Sequence, residues 1–306
     1  MNKRLPRLLA SLGLIGLVLW LVGPAKVGTA FVHTTPGWVL AGFACAVCAS
    51  LCAALRWHAL AAWLGIDAPR GAMIVAQWRG ITANALLPGG TLSGDALRAL
   101  HLSQAGNDAL PATASVVLDR LSGLWVLAVM SLTASALALS LRLLPAGRLP
   151  VSALVATLLA LALLIAPLLL WQLSAGTRHH LPARLASLLD IVHEHPRPLR
   201  QYLAQLAWSG AVQFACILAF SCGGWAVGLT LPYWQFLIVA GPIFIFAALP
   251  VSVGGWGTRE AAAAITLGLL GVPKDLAVAT AVLYGLFATL QGILGAGTLL
   301  KGSRSD

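Results

Sequence analysis

From Gln77 to Arg98 the chain reads Gln-Trp-Arg-Gly-Ile-Thr-Ala-Asn-Ala-Leu-Leu-Pro-Gly-Gly-Thr-Leu-Ser-Gly-Asp-Ala-Leu-Arg. Its first half is apolar enough to enter a bilayer. Yet Pro88, Gly89, Gly90 and Gly94 cannot continue a regular helix, and Arg79, Asn84, Asp95 and Arg98 are polar. Backbone without internal hydrogen bonds is tolerated at membrane depth only where other helices or a cavity shelter it. This requirement restricts the fold to a bundle large enough to enclose a broken segment.

A second stretch, Phe246 to Glu260, repeats the arrangement: Ala-Leu-Pro at Ala248 to Pro250, then Ser252, Gly254, Gly255, Trp256 and Gly257, then the charged pair Arg259 and Glu260. Laying Pro88 over Pro250 sets Ala85 against Ala247 and Leu87 against Leu249. Paired interrupted segments in two halves of a chain point to a binding site near the bilayer midplane, of the kind transporters build from inverted repeats.

Composition enters here as a limit on chemistry. Only 9% of the 306 residues are charged, against roughly 25% in an ordinary soluble domain, and the mean hydropathy is +0.89. The chain is therefore expected to be an all-α integral membrane protein, a single polytopic domain over 1–306, with function built from membrane-embedded residues and short loops. The net charge of +10 does not indicate nucleic acid, because Lys and Arg sit scattered at helix ends without interleaved aromatics. Membrane topology and anionic lipid account for them better.

The apolar runs predict about six transmembrane helices, at 8–23, 38–63, 109–140, 151–173, 202–227 and 275–300, plus two re-entrant helical hairpins. The first hairpin enters from the cytoplasm over Gly71 to Pro88 and ends in the amphipathic Asp95 to Gln104. The second descends from outside over Phe236 to Pro250 and returns over Thr258 to Leu270. The approximate repeats are 37–140 and 201–300, inverted relative to one another, and 174–200 is a basic cytoplasmic loop. On this topology thirteen of the nineteen Lys and Arg lie inside and four outside, with Arg120 and Arg259 within the membrane, as the positive-inside rule requires. Both termini are then cytoplasmic, and Arg56 near the end of its span is expected to snorkel to the cytoplasmic surface.

Ionisable residues in or beside these segments cost roughly 2.5–3.5 kcal/mol each at a helix centre. Two readings stand for Arg79, Asp95, Arg98, Asp119, Arg120, Arg259 and Glu260. In one they neutralise one another, Asp95 with Arg98 for example, and hold the hairpins in place. In the other the arginines gathered at the Gly-rich breaks present positive charge to a phosphate-containing head group, with the carboxylates orienting them. Asn84 and Ser252 complete the candidate substrate-binding set as caps or donors, together with Trp256, which lies inside the second break.

Other features carry less. Cys45, Cys48 and Cys52 share a helical face and read as packing. The histidines 179, 180, 193 and 195 lie in the polar loop without a closed tetrahedral set, so no metal site and no cofactor is expected. No nucleophile elbow or phosphate-binding loop occurs, and the expectation is a protein that is not an enzyme.

Three motifs in order, Leu87-Pro88-Gly89-Gly90 leading to Gly94-Asp95-Ala96-Leu97-Arg98, Leu118-Asp119-Arg120-Leu121-Ser122-Gly123-Leu124, and Leu249-Pro250-Val251-Ser252-Val253-Gly254-Gly255-Trp256-Gly257-Thr258-Arg259-Glu260, resemble the flippase-like, lysylphosphatidylglycerol synthase transmembrane-domain family. Asp95, Arg98, Asp119, Arg120, Arg259 and Glu260 match its motifs. The resemblance implies a lipid-flipping membrane domain. With the chain stopping at Asp306, a stand-alone member without the soluble aminoacyl-transferase domain is expected, so synthase activity is not carried over. The expected function is transport of an anionic, phosphate-containing lipid or lipid-linked head group between leaflets of a bacterial inner membrane. The alternative is a non-transporting, lipid-binding accessory protein of an envelope lipid or glycolipid pathway, with a biosynthetic enzyme as partner.

Overall fold

The computed structural model describes residues 28–29, 31–32, 34–86, 91–144, 147–177, 190, 198–249, 252 and 254–301. Among these the regular structure is entirely helical. In chain order the helices are α1 (Pro36–Trp63), α2 (Arg70–Leu86), α3 (Thr91–Gln104), α4 (Ala109–Ser140), α5 (Ala153–Thr177), α6 (Pro198–Ala226), α7 (Tyr233–Ala248), α8 (Thr258–Leu269) and α9 (Lys274–Lys301).

Five of them, α1, α4, α5, α6 and α9, are long and apolar enough to cross a membrane, and α7 is a shorter apolar helix. At about 1.5 Å rise per residue, the 16 residues of α7 and 17 of α2 fall short of the roughly 30 Å hydrocarbon core. The sequence-predicted span at 8–23 and most of the 174–200 loop, including its four histidines, lie outside the described residues. Within that loop, α5 continues as helix to Thr177 and residues 198–200 already belong to α6.

The elements end where their sequences require it. Pro36 opens α1 at a position where its missing N–H costs nothing. The helix closes on Gly65, whose φ of 76° suits a residue without a side chain. In α7 the Ser131 hydroxyl of α4 inserts into the backbone ladder one residue before Pro242: it accepts from the Gly241 N–H at 2.8 Å and donates to the Leu237 carbonyl at 2.7 Å. A Cβ on Gly241 would come within 2.7 Å of that hydroxyl, which is why glycine stands there.

Helices α2 and α3 lie antiparallel. The Ser93 hydroxyl donates to the Ala83 carbonyl, the Gly94 N–H donates to Asn84 Oδ1 at 2.8 Å, and the Gly80 Cα rests against the Arg98 side chain further from the break. On the other side of the molecule α7 packs on α8. Helix α1 packs chiefly on α6, α2 on α9, and α4 on α7 and α5. The α2–α9 contact is close because Gly292 and Gly295 let the backbones meet, with the Thr82 hydroxyl donating to the Gly292 carbonyl at 2.9 Å. The larger buried core lies among α1, α4, α6, α7, α8 and α9 around Phe220 and Phe236, and a second gathers around Trp57, Met73 and Leu102.

The two breaks adjoin. A methyl group placed on Gly254 would stand 3.5 Å from the Asn84 carbonyl oxygen at the end of α2. The turn residues 87–90 and residues 250, 251 and 253 lie outside the described residues.

Candidate functional site

The centre of the site is Asp119, about ten residues into α4 and 2% exposed. A carboxylate in such a place has four lone-pair directions to satisfy, and two guanidinium groups take them. Arg56 Nε of α1 donates to Oδ1 and Arg98 Nη2 of α3 donates to Oδ2, each at 2.8 Å. Arg56 Nη1 also donates to Ser209 Oγ of α6 at 3.2 Å, so four helices share one network. Arg98 stacks over the Trp57 ring at 4.0 Å, and Trp57 Nε1 donates to Ser115 Oγ at 3.1 Å. This fixes the plane of the guanidinium.

The network grades outward. Arg98 Nη1 lies 3.7 Å from Asp95 Oδ1, and Asp95 in turn pairs with Arg120 Nε, whose side chain is 31% exposed. The expected pairing of Asp95 with Arg98 is thus present but secondary, since the main partner of Arg98 is Asp119. Among the described residues three arginines and two aspartates form this network, an excess of one positive charge. Arg98 Nε is buried with no hydrogen-bond acceptor among the described residues, and so is Gln77 Oε1 of α2 with no donor. Both line a cavity of about 230 Å³ with Arg56, Asn84, Asp119 and Arg120.

Arg56 corrects the sequence reading. It does not snorkel to the surface. It is 5% exposed and belongs to the charged network. The signal for it was Asp119, a carboxylate deep in a span that needed more positive charge than its neighbour Arg120 could direct to it.

The second charged cluster is of another kind. Glu260, 2% exposed, accepts from Arg259 Nη2 at 2.6 Å and Nε at 3.0 Å. Its other oxygen accepts from the Gly257 N–H, which ties down the start of α8. The φ of 85° at Gly257 is one a side chain would strain. Arg259 packs between the rings of Trp256 at 4.9 Å and Tyr284 at 5.9 Å. A Cβ on Gly285 would fall 2.1 Å from its Nη2, so the guanidinium fills the space left by that glycine. Ser252 and Thr258 exchange a hydroxyl hydrogen bond at 3.0 Å.

Of the sequence-predicted residues, Asn84, Asp95, Arg98, Asp119 and Arg120 come together at the cavity. Ser252, Trp256, Arg259 and Glu260 form the separate pair-centred cluster. Arg79 is half-buried on α2, within electrostatic reach of His101 rather than in the cavity wall. Among the described residues no group of three or more His, Cys, Asp or Glu is placed to hold a metal ion.

Compared with known protein families, residues 7–295 match the Lysylphosphatidylglycerol synthase TM region. The chain belongs to this family. Comparison with curated proteins gave no match. Family membership and five membrane-length apolar helices together make this a multi-pass membrane protein with a lipid-related role. The family match covers both charged clusters, Arg56 included.

Proposed function

We propose that the protein moves an anionic, phosphate-containing lipid or lipid-linked head group across the membrane, and that the cavity around Arg98 is where the charged group rests. The observation that carries this reading is the surplus positive charge beside an empty volume. A purely structural ion network tends toward neutrality, because each uncompensated buried charge is costly. Here one guanidinium charge in excess among the described residues adjoins about 230 Å³ lined by Arg56, Arg98, Arg120, Asn84 and Gln77 among others. A phosphate would supply the balancing negative charge and acceptors for the guanidinium groups.

Transport rather than storage is favoured by the arrangement of the halves. The 162-residue offset between Pro88 and Pro250 carries α1 to 198–225, against 198–226 for α6, and α2 to 232–248, against 233–248 for α7. It carries α4 to 271–302, against 274–301 for α9. Exchanging α1 with α6, α2 with α7, α3 with α8 and α4 with α9 maps the contacts among these eight helices onto one another, with α5 left outside the exchange. Three spans, α1, α4 and α5, separate the two starting points, so hairpins that return to their own side make the halves inverted repeats. Rocking of one half against the other would expose the cavity alternately. The most exposed ionic side chain of the network is Arg120, twelve residues into α4, and the start of α4 marks one side of the membrane. Positive-inside counting makes that side cytoplasmic, in a bacterial inner membrane.

No step in this reading makes or breaks a covalent bond. Native mass spectrometry of the purified protein tests the charged-group assignment: the wild type is expected to retain an anionic lipid that Arg98→Gln loses. Equal retention by the two proteins would remove Arg98 from the site.

A further inference from the structure

Beside the charged cavity lies a second of about 230 Å³, between α1, α2, α6 and α9. The two share three wall residues, Ala53, Gln77 and Ile81. They differ in chemistry. The second is floored by Ala46 and Ala49 and is predominantly apolar. Among its polar groups the Ser50 hydroxyl donates to Gln291 Oε1 at 2.6 Å, and Tyr284 and Cys216 both line the wall. Such a space offers little to an ion and much to hydrocarbon.

We propose that this second cavity receives the head-proximal apolar segment of the same amphiphile whose anionic group occupies the Arg98 cavity, so that part of the tail is held inside the protein instead of remaining wholly in the bilayer. The inference rests on the reading of the Arg98 cavity given above. A charged chamber and an apolar chamber meeting at a common wall form the outline of an amphiphile. Gln77 stands at the junction, with Oε1 buried and unpartnered among the described residues, where a hydroxyl or ammonium next to the phosphate would donate to it. Ala288 lines the second cavity and is exposed, on the face of α9 that also carries the buried Gly285, Gln291 and Gly292. The apolar chamber is thus space within the bundle that a hydrocarbon segment can fill.

The test compares two singly charged phosphodiesters, dimethyl phosphate and methyl octyl phosphate, binding to the protein in nanodiscs of a neutral lipid, with empty nanodiscs as the blank for partitioning. Wild type is expected to bind the octyl ester about tenfold or more tightly than the dimethyl ester, from methylene burial. Ala288→Phe fills the apolar cavity from α9 and is expected to abolish that advantage while leaving dimethyl phosphate affinity unchanged, which also reports that the fold is intact. Ala49→Phe, from the floor, is expected to do the same. An octyl advantage that survives both substitutions overturns this inference and leaves the anion site standing. Binding of neither ester by wild type, or dimethyl phosphate binding indifferent to Arg98→Gln, overturns the anion site and this inference with it.

Discussion

The cluster around Asp119 and the pair Arg259–Glu260 are made of the same residue types at the two corresponding breaks, and they differ in what is left over. The first draws its members from α1, α3 and α4, reaches α6 through Ser209, and keeps one positive charge and one unpaired guanidinium nitrogen beside open volume. The second is two adjacent residues that cancel. Its carboxylate is occupied by a helix start, and its guanidinium is packed against Trp256, Tyr284 and the bare backbone of Gly285. A buried arginine is therefore not in itself a binding site. Charge left uncompensated and space left unfilled have to coincide, and among the described residues they do so around Arg98.

That contrast can be broken most forcefully at Asp119. Asp119→Asn strands Arg56 and Arg98 together in a buried setting, and thermal unfolding in detergent should show the largest loss of stability of any substitution here, about 3–5 kcal/mol or more. A protein as stable as wild type would mean the arginines have other partners. At the second cluster, Arg259→Met alone strands Glu260, again costing about 3–5 kcal/mol, but adding Glu260→Gln should recover most of it, because a neutral pair has been exchanged for a neutral pair. The same thermal measurement checks both, and lack of recovery would mean the pair does more than cancel. The smallest effect belongs to Arg120→Gln: its side chain is partly exposed and its ion pair solvent-screened, so stability should change by about 1 kcal/mol or less. Retention of anionic lipid should nevertheless weaken, since this substitution takes one positive charge from the cavity wall.

Much of the fold was legible because hydropathy over twenty or more residues is a strong signal. The run 109–140 was read with the bounds of α4, and the run 38–63 with those of α1 to within two residues at its start. Breaks at Pro88 and Pro250 followed from residues that cannot continue a helix. The site was legible in its members and less so in its grouping. Arg56 read as a surface anchor because a lone arginine near a helix end usually is one, and nothing local reveals that Asp119, 63 positions later, will lie against it. One of the two sequence readings set Arg259 beside Arg98 at a common head group because both adjoin Gly-rich breaks. The Glu260 beside it, which decides its role, was visible but could be assigned either to Arg259 or across the gap. Distances between helices, and hence which charges cancel, are settled by packing at residues such as Gly285 and Gly292, whose role shows only when the neighbour is known.

The account stands on the surplus charge at Arg98 serving translocation, and the direct measurement is lipid movement by the purified protein in proteoliposomes. A fluorescent anionic phospholipid would be followed by the fraction accessible to a membrane-impermeant quencher over time. Wild type and the Arg259→Met, Glu260→Gln double variant are expected to move it, while Arg98→Gln, reconstituted in equal amount, is expected to fall to the protein-free rate. Undiminished movement by Arg98→Gln, or no movement by wild type without a partner protein, would contradict it.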